Sequence, residues 1–421
     1  MSTTELWRQR LAQARWFQGK GLAIESVELR PLPWYVAEGE VRVRSELADV
    51  VLSGRTDTYH LLVGYLPAGQ GEPEALIGQT WSPERGMVDV VDAPASRQAM
   101  RALLHGLIAN PPTGLTWNDE PPDPDARTTM FTGEQSNTTV QIGQSTLLKI
   151  FRRLSPGASL EATTLAALSD SGITARLIGT LSWPEGPYDL AVFSQRVLDA
   201  TDGWDFCVEA CGADRSITAE MTGLGSTLRE LHQALATRFP TATTDVAEIS
   251  AQMLTRLDTA CDQVPELRDI RDDLIAILDL PSHPARIQRV HGDFHLGQAL
   301  VSPTGWTIID FEGEPLKSLE ERSALDTVWR DVAGATRSLD YARSHHRFPA
   351  SDQAKRWHDE ARSGFLGGYL DGAELPSGLL TAYEVDKAIY ELVYELRNRP
   401  SWAPIPRRAI HEAIQRHRGG A

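Results

Sequence analysis

Cysteine is scarce in this chain. Only Cys207, Cys211 and Cys261 occur, and an odd, sparse set argues against a disulfide framework and fits a reducing compartment. Cys207 and Cys211 stand four apart and would share a helix face. No histidine lies near them at metal-ligand spacing, so packing is their expected role. Long apolar runs are also missing. No stretch approaches the roughly 18 residues of a membrane span, and Met1 to Lys20 carries scattered charge in place of an apolar signal core. The expected location is therefore the cytoplasm, with no membrane partner. Positive charge is in deficit: Lys and Arg number 41 against 57 Asp and Glu, a formal net charge of −16. That balance argues against a broad nucleic-acid-binding role, although a cationic small molecule stays open as a substrate. Internal repeats, a Walker A loop and the G-x-G-x-x-G fingerprint are absent as well.

What is present is ordinary globular material, 421 residues with 41% hydrophobic and 23% charged, long enough for two or three domains or lobes. Texture divides it into three regions. Residues 1–88 mix a short N-terminal helix with strand-like pieces such as Thr58 to Tyr65. Residues 89–198 contain an exposed loop, Asn110 to Asp125, rich in Pro, Asp and Gly, and then a hairpin. In that hairpin Thr138 to Ile142 alternates, Gly143 to Ser145 turns and Thr146 to Phe151 resumes; a helix-like stretch, Ala158 to Leu168, follows. Residues 199–421 are mostly helical, with amphipathic runs near 216–236, 249–279 and 378–397, interrupted by one β segment between Ile287 and Phe311. The expected class is α+β: a small β-rich lobe, a connector and a large helical lobe.

The chemistry concentrates in Arg286 to Gly313. A polar loop, His291-Gly292-Asp293-Phe294-His295-Leu296-Gly297-Gln298, lies between apolar strands, and Asp310 ends the next strand after a Ser-Pro-Thr-Gly turn. The hairpin is expected to bring Asp293, Gln298 and Asp310 to one edge. Phosphoryl transfer requires such a set: one carboxylate orients or deprotonates the attacking hydroxyl, and hard oxygen ligands hold Mg2+ against the phosphates of ATP, the co-substrate. Asp293 is the candidate for the first task. Gln298 and Asp310 are candidates for the second, with Glu312 beside them.

A second set lies in the hairpin of the middle region. Gly133 to Thr139 is small and polar, so Ser136, Asn137 and Thr138 can present amides and hydroxyls to phosphate oxygens. Lys149 sits in the apolar strand Leu147 to Phe151 and needs an anionic partner if buried; Glu161, early in the next helix, is the candidate. Ala191 to Leu198 reads as a strand entering a connector, where backbone groups of Gln195 and Val197 could pair with adenine. Near the C-terminus, Tyr383, Lys387, Tyr390, Tyr394 and Arg397 fall on one helical face. Tyrosines beside an arginine, with Trp402 nearby, suit a sugar, which offers apolar ring faces and many hydroxyls; the same pattern also describes a helix burying tyrosine. His295 either hydrogen-bonds a sugar hydroxyl or buttresses its loop. Asp331 is expected to tie the loop to a helix start.

The spacing of His291, Asp293 and Gln298, followed by Asp310, resembles the catalytic and metal-binding motifs of the aminoglycoside-phosphotransferase-like kinases, relatives of the protein kinases. Gln298 replaces the commoner Asn, and Glu312 stands where protein kinases have Gly. Further blocks, Ala14 to Gly21, Gln135 to Thr138, Thr201 to Asp205, Asp310 to Pro315 and Tyr394 to Pro400, resemble the actinobacterial maltokinases over essentially the whole chain. That resemblance implies a bilobal protein-kinase-like fold. An N-terminal cap subdomain (1–88) would precede an intermediate nucleotide subdomain with a hinge (89–198) and a helical catalytic and sugar-binding lobe (199–421). It implies transfer of the ATP γ-phosphoryl group to maltose, giving maltose 1-phosphate for α-glucan synthesis from trehalose. A functional link to trehalose synthase and a maltosyltransferase follows from it. The alternatives are a glucosamine or aminoglycoside kinase of the same fold, or a non-catalytic nucleotide-binding regulatory protein.

Overall fold

The computed structural model describes residues 1–132, 136–314, 317–375 and 378–419. Contacts group the chain into two compact units, Met1–Asp170 with Ala175–Leu198, and Ser171–Thr174 with Asp199–Ala421. β-sheets dominate the first and helices the second, a mixed α+β protein.

The first unit opens with α1 (Thr3–Leu11), whose first turn is capped by the Ser2 side chain accepting from the Glu5 N–H. An antiparallel sheet follows, built from β1 (Ile24–Val36), β2 (Arg42–Leu52), β3 (Arg55–Pro67), β4 (Leu76–Ser82) and β5 (Gly86–Asp92) in the order β1-β2-β3-β5-β4. Its core packs Trp7, Leu11 and Phe17 against Val50, Tyr59, Leu61 and Val90. β5 runs across the region boundary expected at residue 88. After α2 (Arg97–Ala109), a second sheet takes β6 (Leu115–Trp117), β7 (Thr128–Met130), β8 (Thr138–Ile142), β9 (Thr146–Ile150), β11 (Leu177–Trp183) and β12 (Tyr188–Gln195), in the order β6-β11-β12-β9-β8-β7. The short β10 (Arg153–Leu154) leaves β9 and pairs with β3 of the first sheet. α3 (Leu160–Leu168) follows it. The stretch 110–125, expected to be loop throughout, contains β6: Thr116 pairs with Thr180, and Trp117 packs on Phe193 at 4.9 Å.

The second unit begins with β13 (Thr201–Asp202), α4 (Gly203–Gly212) and α5 (Thr218–Arg238). β14 (Thr241–Asp245) pairs with β15 (Pro284–Gln288). Between them lie α6 (Val246–Gln263), α7 (Glu266–Asp269) and α8 (Arg271–Leu278). The single run expected over 249–279 is thus broken, because Val264 turns extended and Pro265 cannot continue the ladder. β16 (Ala299–Ser302) and β17 (Gly305–Ile308) form a hairpin that β13 extends. Then come α9 (Leu319–Ser323), α10 (Trp329–Ser344), α11 (Asp352–Leu370), α12 (Leu379–Asn398) and α13 (Pro404–Gly419). All three cysteines are free and buried. Among the described residues, no helix is long and apolar enough to cross a membrane.

Candidate active site

One face of α10 sets the polar loop 291–298. Asp331, Gly334 and Ser338 fall at i, i+3 and i+7, a single stripe. Asp331 accepts from the backbone N–H of His291 at 2.7 Å and of Gly292 at 2.9 Å, and from His232 Nε2 at 3.0 Å. Burial alone would raise its pKa; the His232 hydrogen bond, the nearby imidazoles and the Gly292 N–H outweigh that and hold it below the ordinary value. Gly334 lies so close to the Phe294 carbonyl that a Cβ would collide with it. The Ser338 hydroxyl accepts from the Leu296 N–H at 3.1 Å. From the opposite side His291 Nε2 donates to the Ile309 carbonyl at 2.9 Å, and its ring packs against Phe294 and Phe311. The tie between Asp331 and the loop, expected from the sequence, is therefore direct.

Asp293 is half-buried within this frame. Loss of water raises its pKa to about 6; the Lys387 cation opposes the rise, while Glu314 and Asp310 add to it. His295 is pushed the other way, to about 4, by burial and by Lys387. Its Nδ1 accepts from the Gly297 N–H at 3.1 Å, so the neutral ring carries its proton on Nε2. Gln298 Nε2 reaches Asp310 Oδ2 at 3.3 Å, and the Gln298 carbonyl accepts from the Ile309 N–H. Asp310 holds a left-handed backbone, φ +63°, a conformation Asp tolerates better than most residues. Glu312 is half-buried beside it. An amide oxygen and two carboxylates would make an all-oxygen donor set, the chemistry Mg2+ takes.

In the first unit, Lys149 Nζ lies 3.7 Å from Glu161 Oε2, and Glu161 is 6% exposed in the first turn of α3. Lys149 shares the partly exposed face of β9 with Leu147. Asn137 and Thr138 stand at the start of β8. Both side chains are buried and engage Arg152: Asn137 Oδ1 accepts from its N–H at 3.0 Å and Thr138 Oγ1 from its Nε at 2.7 Å. Ser136 is half-buried, and Gly133, Glu134 and Gln135 lie outside the described residues, as does Pro315. Gln195 ends β12 opposite Thr146, with its N–H given to the Arg176 carbonyl. Val197 follows in irregular backbone.

A pocket of about 580 Å³ opens beside the loop. It is lined by His295, Lys387, Tyr390 and Tyr394, and also by Asp202, Trp204, Asp205, Glu391, Glu395, Arg399 and Trp402. Lys387 and Tyr390 lie within electrostatic reach of Asp293. Two members of the expected helix face are elsewhere. The Tyr383 hydroxyl donates to Asp326 Oδ1 at 2.5 Å, and Arg397 Nη2 donates to Gln263 Oε1 at 2.7 Å. From α12 the pocket takes Lys387, Tyr390, Glu391, Tyr394 and Glu395. Arg397 is nearly in line with Tyr390 around the helix but two turns further along, and its side chain is held by Gln263. Arg399, past the helix end, takes the position expected of Arg397. Sequence reasoning missed Glu391, Glu395, Arg399 and Asp202 as lining residues. Asp202 alone left a signal, an Asp directly before a helix, where it caps α4 by accepting from the Trp204 N–H.

Residues 128–377 match the model of the phosphotransferase enzyme family. The chain belongs to this family. Residues 11–95, the first sheet and its flank, match the maltokinase N-terminal cap domain. A glucosamine kinase of Streptacidiphilus jiangxiensis is 32% identical over 311 residues, 65% of this chain and 70% of that protein. One from Mycolicibacterium smegmatis is 26% identical over 312 residues, 66% of this chain and 78% of the relative. A solved glucosamine kinase in complex with glucosamine, ADP and inorganic phosphate superimposes with a TM-score of 0.68 at 22% identity, covering 98% of this chain and 99% of that one. The fold is thus kinase-like, and the chain is a phosphotransferase of kinase type.

Proposed function

We propose that this phosphotransferase is a maltokinase, transferring the γ-phosphoryl group of ATP to the anomeric hydroxyl of maltose to give ADP and maltose 1-phosphate. The observation that carries the reading is the charge state of the acceptor pocket. Glu391 is paired with Arg337 at 2.5 Å, and Glu395 with Arg399 at 2.6 Å and with the Tyr341 hydroxyl. Carboxylates already neutralised within the protein suit an uncharged polyol better than an ammonium group. The cap-domain match points the same way.

In this reading Asp293 accepts or orients the proton of the attacking hydroxyl, and its raised pKa suits a base working near neutrality. His295 donates through Nε2 to a sugar hydroxyl. Tyr390 and Tyr394 cover the ring faces. Lys149, oriented by Glu161, holds ATP phosphate oxygens, with backbone groups of 136–138 beside them, and Gln195 and Val197 offer backbone to adenine. Gln298, Asp310 and Glu312 would hold Mg2+, which neutralises phosphate charge when bound. The amino-sugar alternative draws on the relatives' names and on the exposed Asp205 at the pocket.

The deciding experiment is ADP release with maltose, glucose, glucosamine and an aminoglycoside, the product identified by phosphorus NMR. A phosphate on the anomeric carbon of maltose is expected. Turnover of glucosamine with none of maltose would overturn the assignment in favour of an amino-sugar kinase.

A further inference from the structure

Arg152, two residues past the end of β9, is fully buried. Its Nη2 donates to both carboxylate oxygens of Asp92 at 3.0 and 3.2 Å, and its guanidinium lies 4.6 Å from the centroid of the Trp16 ring. The His60 N–H donates to the Arg152 carbonyl at 2.7 Å. Trp16, His60 and Asp92 all belong to the segment that matches the cap domain. The other edge of the same guanidinium binds Thr138 Oγ1, and the Arg152 N–H binds Asn137 Oδ1; these two residues open the nucleotide hairpin. Arg153 repeats the arrangement. It pairs with Tyr59 in β3 and reaches Gln18 at 2.7 Å and Asp57 at 2.9 Å, both in the cap.

A guanidinium removed from water must satisfy its donors in fixed directions, and here Nη2 serves Asp92, Nη1 the His60 carbonyl and Nε Thr138, so one rigid plane ties the three together. The neighbouring His60 stays neutral, since burial and Arg152 push its pKa down to about 3. The cap thereby dictates where Arg152 lies, and Arg152 dictates where Asn137 and Thr138 lie. We propose that the cap is a positioning element for the nucleotide: Arg152, held by Asp92 and Trp16, fixes the start of the hairpin that carries Lys149. The inference rests on the kinase reading and goes beyond it by assigning the cap's work to ATP rather than to the sugar. Arg152 and Asp92 are positioning residues, with no contact to substrate required of them.

Three variants of the full-length protein test this: Arg152→Lys, which keeps the charge but loses the fork; Asp92→Asn; and Thr138→Val, which removes one acceptor and leaves the Arg152–Asp92 pair in place. ADP affinity is measured by titration calorimetry, and KM for ATP and for the sugar acceptor by ADP release. Arg152→Lys is expected to raise the ADP dissociation constant and the ATP KM together by about 10-fold or more, with the acceptor KM within about twofold of the unaltered value. Thr138→Val shifts the same two constants in the same direction by less. If Arg152→Lys does not fold, Asp92→Asn and Thr138→Val carry the test. Unchanged ADP affinity in folded Asp92→Asn and Thr138→Val proteins, or an equal rise in both KM values, overturns this inference alone. Absence of ADP binding by the unaltered protein overturns the kinase reading and the inference with it.

Discussion

A half-buried carboxyl within reach of a cation and two other carboxylates titrates where its neighbours put it, and Asp293 is such a group. In the proposed reaction its ionised form accepts the proton, and its pKa is raised to about 6. kcat/KM is therefore expected to fall as pH drops through about 6 and to level off above it. Lys387 holds that pKa down, so Lys387→Met should move the midpoint to higher pH; a pH–rate profile of the variant reads the shift. Asp293→Asn should lower kcat by about 10²–10⁴-fold with ADP binding retained, the usual loss for a general base. In the pocket, Tyr394→Ala should raise the acceptor KM with less effect on kcat, while Arg397→Ala, tied to Gln263, should leave both nearly unchanged. Initial-rate kinetics at saturating ATP separates the two. These residues also mark what could be read in advance. Asp293, Gln298 and Asp310 are close in sequence and joined by one hairpin, so their spacing fixes their proximity. The Arg337–Glu391 pair joins two helices far apart in the chain, and no local pattern announces it.

At the scale of elements, α10 carries the loop on one stripe, and its tightest point is Gly334. Gly334→Ala drives a methyl into the Phe294 carbonyl. The expected result is a loss of about 1–3 kcal/mol in urea unfolding, typical of overpacking, together with reduced turnover as the loop is displaced. A fully active, equally stable variant would mean that the helix is free to shift. Periodicity made the hairpin β8–β9 and the long helices α5 and α12 legible. It failed where tertiary contact overrides composition. β6 forms inside a Pro-, Asp- and Gly-rich stretch because β11 offers an edge and Phe193 a surface for Trp117. α10 and α11 lack a clean apolar period. Buried polar groups such as Asp331, Arg337 and His358 blur the apolar stripe by which a helix is recognised.

The molecule as a whole shields its thiols. Cys207 and Cys211 are buried on one face of α4, and loss of water raises their pKa to about 12 and about 11. A thiol reagent such as Ellman's should leave the folded protein essentially unmodified near neutral pH and find three groups after denaturation; rapid reaction of the native protein would contradict this burial. The path of the chain through the first unit carries a different consequence. β10 completes the first sheet only after the β8–β9 hairpin has been made, because it leaves β9 to pair with β3. A chain emerging from the ribosome thus presents a cap lacking one strand partner until residue 154 is available. The cap is for this reason not a bead that can be clipped off or borrowed. A fragment starting after Asp92 inherits an orphaned arginine and an unmatched strand, and any lineage that dispensed with the cap would have had to rebuild the residues after β9 as well.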